Sequence, residues 1–274
     1  MKAMRLYVGF IYVFLYAPIA LIIIYSFNSG RYAMDWQGFS TEWYGKALSN
    51  PLIVEALVTS VIIAGVTALL SSVIGTLAAL GLQRVSGFWR NVFDGLIYIA
   101  IMVPSVVIGI ATLVAFVTLF NVINPFVEAV LAFRFQMGMW TVIAAHVLFN
   151  IAVVCLIVRA RLAGMDRSLV EASEDLYATP LGTFRQVILP LLLPGIIAGA
   201  LLAFTFSFED FVIAFFVAGS DITLPIYVYS SIRRGVTPEI NAIGTIVLMT
   251  SFALLIIAQF IMRDRSKRRA GAGG

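Results

Sequence analysis

Six long apolar runs dominate the pattern of hydrophobic and polar positions along this chain of 274 residues. A helix that crosses a hydrocarbon core of about 30 Å needs roughly 20 predominantly apolar residues, and its backbone polar groups must be satisfied within the segment. The runs are too long for the strands of roughly 10 residues that build an outer-membrane barrel. The pattern predicts an all-α membrane protein, a single transmembrane domain over residues 1–274, with six helices at about 6–27, 57–80, 96–120, 139–158, 187–207 and 240–262.

A polar, helix-forming segment, residues 159–186, lies between the fourth and fifth apolar runs. Ser168 and Glu171 have the spacing of a capping box, so a short helix is predicted to start at Ser168. Thr179 followed by Pro180 predicts a second short helix, because proline is favoured at the first helical position. Two helices joined by a tight turn can fill a cleft in a soluble partner, which can then push on the neighbouring spans.

Composition supports the membrane class, since 61% hydrophobic and 12% charged residues exclude an ordinary water-soluble domain. Cytoplasmic loops carry the excess of Lys and Arg, and the assignment of thirteen to one side and five to the other predicts that both termini are cytoplasmic. The first run is interpreted as a retained anchor. The basic cluster at 263–269 is typical of contact with lipid headgroups; without an aromatic platform it argues against nucleic-acid binding.

The residue types needed for most catalytic chemistry are scarce. Cys155 and His146 are the only cysteine and histidine, which excludes an internal disulfide and a His/Cys metal site, and no cofactor is expected. We expect the His146 imidazole to hydrogen-bond a neighbouring helix, with a proton relay as the less favoured alternative. A phosphate-binding loop is also missing, because Gly45-Lys46 is followed by Ala47. If ATP drives this protein, a separate subunit must hydrolyse it.

Glu171-Ala172-Ser173, followed at the proper distance by Leu189-Pro190, resembles the cytoplasmic EAA loop of permease subunits of binding-protein-dependent ABC importers. Segments 25–29, 36–44, 206–210 and 235–242 resemble the polyamine branch, the spermidine/putrescine permeases. The resemblance implies a MetI-like ABC importer permease fold in the bacterial inner membrane. It also implies three protein partners: a cytoplasmic ABC ATPase dimer, a second, related permease subunit and an extracytoplasmic solute-binding protein.

By the same resemblance, an ATPase-coupling loop is formed by Ser168, Glu171, Ala172, Ser173, Asp175, Tyr177, Pro180, Leu189 and Pro190. The family motif usually has glycine where this chain has Tyr177. A non-glycine residue in a left-handed turn costs roughly 1 kcal/mol or more. We therefore expect either a different turn or a strained Tyr177, whose ring packs on the ATPase or on the adjacent helix.

Glu209 and Asp210 interrupt an otherwise apolar stretch from 187 to 219. A straight helix of that length would measure about 50 Å at 1.5 Å per residue, which exceeds the membrane core. The acidic pair is the natural break and would supply a transient counter-charge for a cationic solute. The alternative is a hydrated loop whose acids cap a short helix from Phe211 or pair with Arg233 or Arg234.

These patterns favour a permease subunit that forms half of the translocation pathway of an ABC importer. Its solute is expected to be a small cation, most simply a polyamine. Two alternatives stay open. One is an importer permease for another small organic solute, such as an aminophosphonate or an opine. The other is a non-ABC cation channel or ion-coupled carrier that uses Glu209 and Asp210 as its ion site.

Overall fold

A computed structural model describes residues 2–30, 35–166, 168–233, 235 and 237–252. Within these ranges the chain is helical, and its one β feature is an isolated antiparallel bridge between Asn28 and Phe39. The helices are α1 Lys2–Ser26, α2 Glu42–Ser49, α3 Pro51–Gly81, α4 Gly87–Met102, α5 Ser105–Leu131, α6 Met139–Ala163, α7 Ser168–Asp175, α8 Pro180–Thr183, α9 Leu189–Glu209, α10 Val212–Val217, α11 Leu224–Ile232 and α12 238–252.

Five helical segments of the described chain are long and apolar enough to cross a membrane, which confirms the predicted all-α membrane class. They are Met4–Ser26, Pro51–Gly81, Ser105–Leu131, Met139–Ala163 and Pro180–Glu209. α12 covers the start of the sixth predicted span, while 253–262, the basic cluster and the tail at 270–274 lie outside the described residues. Three arginines counted for orientation, Arg31, Arg167 and Arg234, lie outside them too. The count of six spans and the cytoplasmic termini stay predictions.

The third predicted span, 96–120, has the wrong bounds. α4 ends at Met102, Val103 is extended with ψ 129°, and α5 then runs on to Leu131. Pro104 causes the break, because it lacks an N–H and disfavours the helical region for the residue before it. At the other end, Pro125 lies inside α5 without ending it.

The fifth predicted span, 187–207, is also wrong in its start. The structure shows continuous helix from Pro180 to Glu209, with a π-helical turn at Phe184–Ile188. Pro190 explains the turn, because it has no N–H to continue the regular ladder, and the Leu189 N–H donates instead to the Phe184 carbonyl. The second short helix of the polar segment is therefore joined directly to the spanning helix α9.

The chain divides into two compact units, residues 1–55 with 227–274 and residues 56–226. In the first unit, Asn50 Nδ2 donates to Glu239 Oε1 over 3.0 Å. The second unit is built around α6, which contacts α4, α5, α9 and α10. Val154 on α6 packs between two glycines, Gly75 of α3 and Gly199 of α9, and such small residues let membrane helices approach closely.

Candidate functional site

The predicted helix at Ser168 is present, but its capping differs from the prediction. Asp166 is the capping residue, since its carboxylate accepts from the Ser168 N–H over 3.0 Å. The hydroxyl of Ser168 also donates to Asp166, and these bonds hold the pKa of the Asp166 carboxyl below its ordinary value. Ser168 therefore lies in the first turn of α7 with its hydroxyl directed back to Asp166, and not forward as a capping box requires.

α7 ends in a Schellman motif that places Tyr177 in the left-handed region with φ 59°. The Tyr177 N–H donates to the Glu174 carbonyl over 2.9 Å, and the Ala178 N–H donates to the Ser173 carbonyl over 3.1 Å. Glycine is the usual residue at this position of the motif. The left-handed turn is thus kept in spite of the tyrosine.

The ring of Tyr177 does not pack on the adjacent helix, because the residue is 96% exposed. Leu176 and Leu181 are 82% and 74% exposed. We call Leu176, Tyr177 and Leu181 the apolar corner. Around it, Glu171, Ala172, Asp175 and Pro180 are exposed as well.

Two polar contacts hold the short helices in place. The Thr179 hydroxyl accepts from the Gly182 N–H over 3.2 Å, with Pro180 at the first helical position, which confirms the predicted start of α8. The Ser173 and Thr183 hydroxyls lie 2.9 Å apart. Ser173 of the EAA motif therefore joins α7 to α8, while Leu189 and Pro190 are half-buried where the π turn meets α9.

The end of α6 is joined to α9 beside this segment. Arg161 Nε donates to the Leu191 carbonyl over 3.1 Å, and the Arg161 side chain lies against Gly195, where a Cβ would stand 3.1 Å from its Cβ. The two long helices that flank the polar segment are thus in contact just after the π turn.

The second candidate region is the break at the acidic pair, which lies where the sequence predicts it. α9 ends at Glu209, Asp210 is extended with ψ 117°, and α10 follows. Asp210 Oδ2 accepts from the N–H groups of Ile213 and Ala214 over 2.8 and 3.2 Å. For Asp210 the capping alternative is confirmed.

Asp210 also lines a cavity of about 250 Å³, which we call the polar cavity. Its walls include Ser105, His146, Phe149, Asn150, Phe206 and Asp210. Glu209 is exposed and is not among the lining residues. The structure therefore separates the predicted pair and leaves Asp210 as the acidic group of the cavity.

His146 connects α6 to α9 beside Asp210. Its Nδ1 lies 2.7 Å from Ser207 Oγ, so the predicted hydrogen bond to a neighbouring helix is confirmed. Its Nε2 lies 3.3 Å from Asp210 Oδ2, within ion-pair distance, yet Nε2 has no hydrogen-bond partner in the part of the chain that the structure describes. The contact is close but lacks hydrogen-bond geometry.

Asn150 is the cavity residue that sequence reasoning missed. It is 1% exposed and its Nδ2 donates to the His146 carbonyl over 2.9 Å. Within the described residues, its Oδ1 has no hydrogen-bond partner. The available signal was its spacing of four from His146, which places both on one helix face. A buried amide oxygen without a donor is costly, so it marks a position where a ligand or water donates.

Comparisons with known proteins identify the family of the chain. The model of the family "Binding-protein-dependent transport system inner membrane component" matches residues 71–270. The chain is 36% identical over 262 residues to the spermidine/putrescine transport system permease protein PotC of Escherichia coli (strain K12), covering 95% of this chain and 94% of that protein. It is 41% identical over 260 residues to the putrescine transport system permease protein PotI of the same strain, covering 94% and 90%.

Solved structures show the same fold. A bacterial ABC transporter involved in import of the acidic polysaccharide alginate superposes with a TM-score of 0.73 at 16% identity, covering 96% of this chain and 94% of that chain. The MetNI methionine ABC transporter superposes with a TM-score of 0.55 at 17% identity, covering 78% and 98%.

The predicted resemblance is thus confirmed, and the hypothesis of a non-ABC channel or carrier is set aside. The relatives are transport system permease proteins, the family is one of inner membrane components, and the described helices fit a multi-pass location in that membrane. The chain belongs to the family of binding-protein-dependent transport system inner membrane components.

Proposed function

We propose that this permease forms half of the translocation pathway of an ABC importer for a small cationic solute, a polyamine such as putrescine or spermidine. The observation that carries the proposal is Asp210, a carboxylate that lines a polar cavity at the break between α9 and α10. Ionisable groups within membrane-spanning segments face protein interiors or water-filled paths, where they serve transported ions. The names of the relatives PotC and PotI support the choice of a polyamine.

The other half of the pathway is a second, related permease subunit in this proposal, and an extracytoplasmic solute-binding protein delivers the cargo. A cytoplasmic ATPase dimer supplies the energy. It docks on the apolar corner, where Leu176, Tyr177 and Leu181 extend away from the rest of the chain. Exposed apolar groups rimmed by acids are typical of a protein interaction surface.

Force from the ATPase reaches the membrane through two connections. The Ser173–Thr183 contact makes α7 and α8 move together, and the π turn joins α8 to α9 without a loop. Since α9 ends beside Asp210, a movement of the short helices changes the side of the cavity that contains the carboxylate.

The test is ATP-dependent uptake by membrane vesicles that contain the transporter with its binding protein. Labelled putrescine and spermidine are offered with neutral and anionic solutes of similar size as competitors. The proposal expects uptake of the polyamines that only other amines suppress. Uptake that is suppressed by a neutral or anionic solute instead would assign the permease to another small organic cargo.

A further inference from the structure

The polar cavity contains more hydrogen-bond acceptors than the protein can satisfy. Asn150 Oδ1 and His146 Nε2 are both buried, and neither has a hydrogen-bond partner among the described residues. Asp210 uses Oδ2 to cap α10, and among the described residues no hydrogen bond to its Oδ1 is seen. Buried polar atoms in proteins are nearly always paired, so this concentration in one cavity indicates a ligand that supplies donors.

The tautomer of His146 is assigned from its two contacts. The Nε2–Asp210 Oδ2 separation of 3.3 Å lacks hydrogen-bond geometry, whereas Nδ1 lies within hydrogen-bond distance of Ser207 Oγ. We therefore place the proton on Nδ1, which donates to Ser207 Oγ over 2.7 Å. Nε2 then presents a lone pair beside the Asp210 carboxylate. A cation with N–H groups stabilises this arrangement by donating hydrogen bonds to both acceptors.

We propose that the polar cavity binds one primary ammonium group through three acceptors: the Asp210 carboxylate, Asn150 Oδ1 and His146 Nε2. A primary ammonium has three N–H donors and no acceptor, which matches this set. The rings of Phe149 and Phe206, whose centroids lie 6.1 Å apart, border the same cavity and suit the methylene chain and the cation.

The size of the cavity agrees with one end of a linear amine. Its volume of about 250 Å³ lies below the range of roughly 300–1,000 Å³ that is typical of sites for drug-sized ligands. The inference rests on the proposed function and deepens it, because it predicts that the permease selects N–H donors and not positive charge alone.

The first experiment compares two dications on the purified transporter without its binding protein. Putrescine has two primary ammonium groups, and its fully N-methylated analogue has the same charges without N–H donors. Thermal stabilisation of the complex against concentration gives the affinity of each. We expect putrescine to bind at least tenfold more tightly, and equal binding of the two would overturn the site.

The second experiment uses variants of the cavity. Asn150→Leu removes the acceptor at nearly constant volume. We expect it to weaken putrescine binding at least tenfold and to leave binding of the methylated analogue unchanged. Asn150→Asp supplies an acceptor again and should bind putrescine as the wild type does. Asn124→Leu is the matched control, since Asn124 is also buried but bonds Phe135 outside the cavity. Equal losses in Asn150→Leu and Asn124→Leu would overturn the assignment.

Uptake by the same preparations separates the two proposals. If the transporter imports putrescine but putrescine does not stabilise it, the ammonium site is wrong and the proposed function stands. If no amine is imported at all, the proposed function fails and the site fails with it. Import together with tighter binding of the primary amine supports both.

Discussion

Tyr177 holds a backbone conformation that costs a residue with a side chain roughly 1–2 kcal/mol, and within the chain its ring gains nothing in return at 96% exposure. The Schellman bonds to Glu174 and Ser173 impose the left-handed turn. A strained turn that displays an aromatic ring is explained if the ring contacts a partner. In our account that partner is the ATPase.

Tyr177→Gly is expected to relieve the turn and to remove the ring, and so to lower transport-coupled ATPase activity while the permease itself stays folded. Tyr177→Phe keeps the ring and should keep the activity. Tyr177→Asn, which tolerates the left-handed region without a ring, should behave like glycine. ATPase assays on assembled complexes measure this, and full activity in the glycine variant would show that the ring has no role in coupling.

The role of a single residue could be predicted where its hydrogen-bond partner is close in sequence. The start of α8 could be predicted from the local pattern, because the Thr179 hydroxyl bonds the Gly182 N–H three residues later and Pro180 is the first helical residue. His146 was predicted to bond a neighbouring helix, but Ser207 lies 61 positions away and only the packing of α6 on α9 identifies it. Ser168 was misassigned because the carboxylate of Asp166, two residues away, accepts from the Ser168 N–H, the donor that Glu171 would bond in a capping box.

At the scale of helices, Val154 is the point where α3, α6 and α9 meet. A Cβ on Gly75 would lie 2.9 Å from Val154 Cβ and 3.0 Å from the Ile151 carbonyl oxygen. Real Cβ atoms essentially never come within 3.0 Å of another heavy atom, and the Val154 Cβ and the Ile151 carbonyl belong to one rigid helix, so a larger residue forces α3 away from α6. Glycine here keeps the wall of the second unit tightly packed.

Gly75→Ala is expected to destabilise the permease by about 1–3 kcal/mol, the usual cost of overpacking, and to lower its melting temperature in detergent. Gly65→Ala is the matched control, because it lies on the same helix with open space around its Cβ position. That variant should melt at the wild-type temperature or slightly above it, since alanine is the better helix former. Equal melting temperatures for both variants would contradict the packing of α3 on α6.

The bounds of helices were predicted correctly where hydropathy alone sets them. They were predicted wrongly where a proline sets them. The fourth span, predicted at 139–158, starts at Met139 as observed. Pro104 splits the third predicted span, whereas Pro125 and Pro194 lie within helices. Proline removes one hydrogen bond, and neighbouring helices determine whether the helix continues through it. That information is tertiary and cannot be obtained from the local pattern.

On the largest scale, the long helices of the second unit differ in how far they are buried. Of the apolar window of α6, 61% is buried, against 6% for α5 and 17% for the Pro180–Glu209 segment. Apolar helices with bare surfaces are stable in lipid or against another subunit. The bare surface of α5 agrees with the proposed second, related permease subunit.

In the proposed mechanism, Asp210 carries the cation through this half of the pathway. ATP-dependent putrescine uptake by proteoliposomes that contain the complete transporter tests it directly, with Asp210→Asn compared against Glu209→Gln. Asparagine keeps the cap on α10 and removes only the charge, while Glu209 lies outside the polar cavity. We predict that Asp210→Asn lowers uptake at least tenfold, about 1.4 kcal/mol, and that Glu209→Gln leaves it unchanged. Wild-type uptake by a correctly assembled Asp210→Asn transporter would contradict the claim.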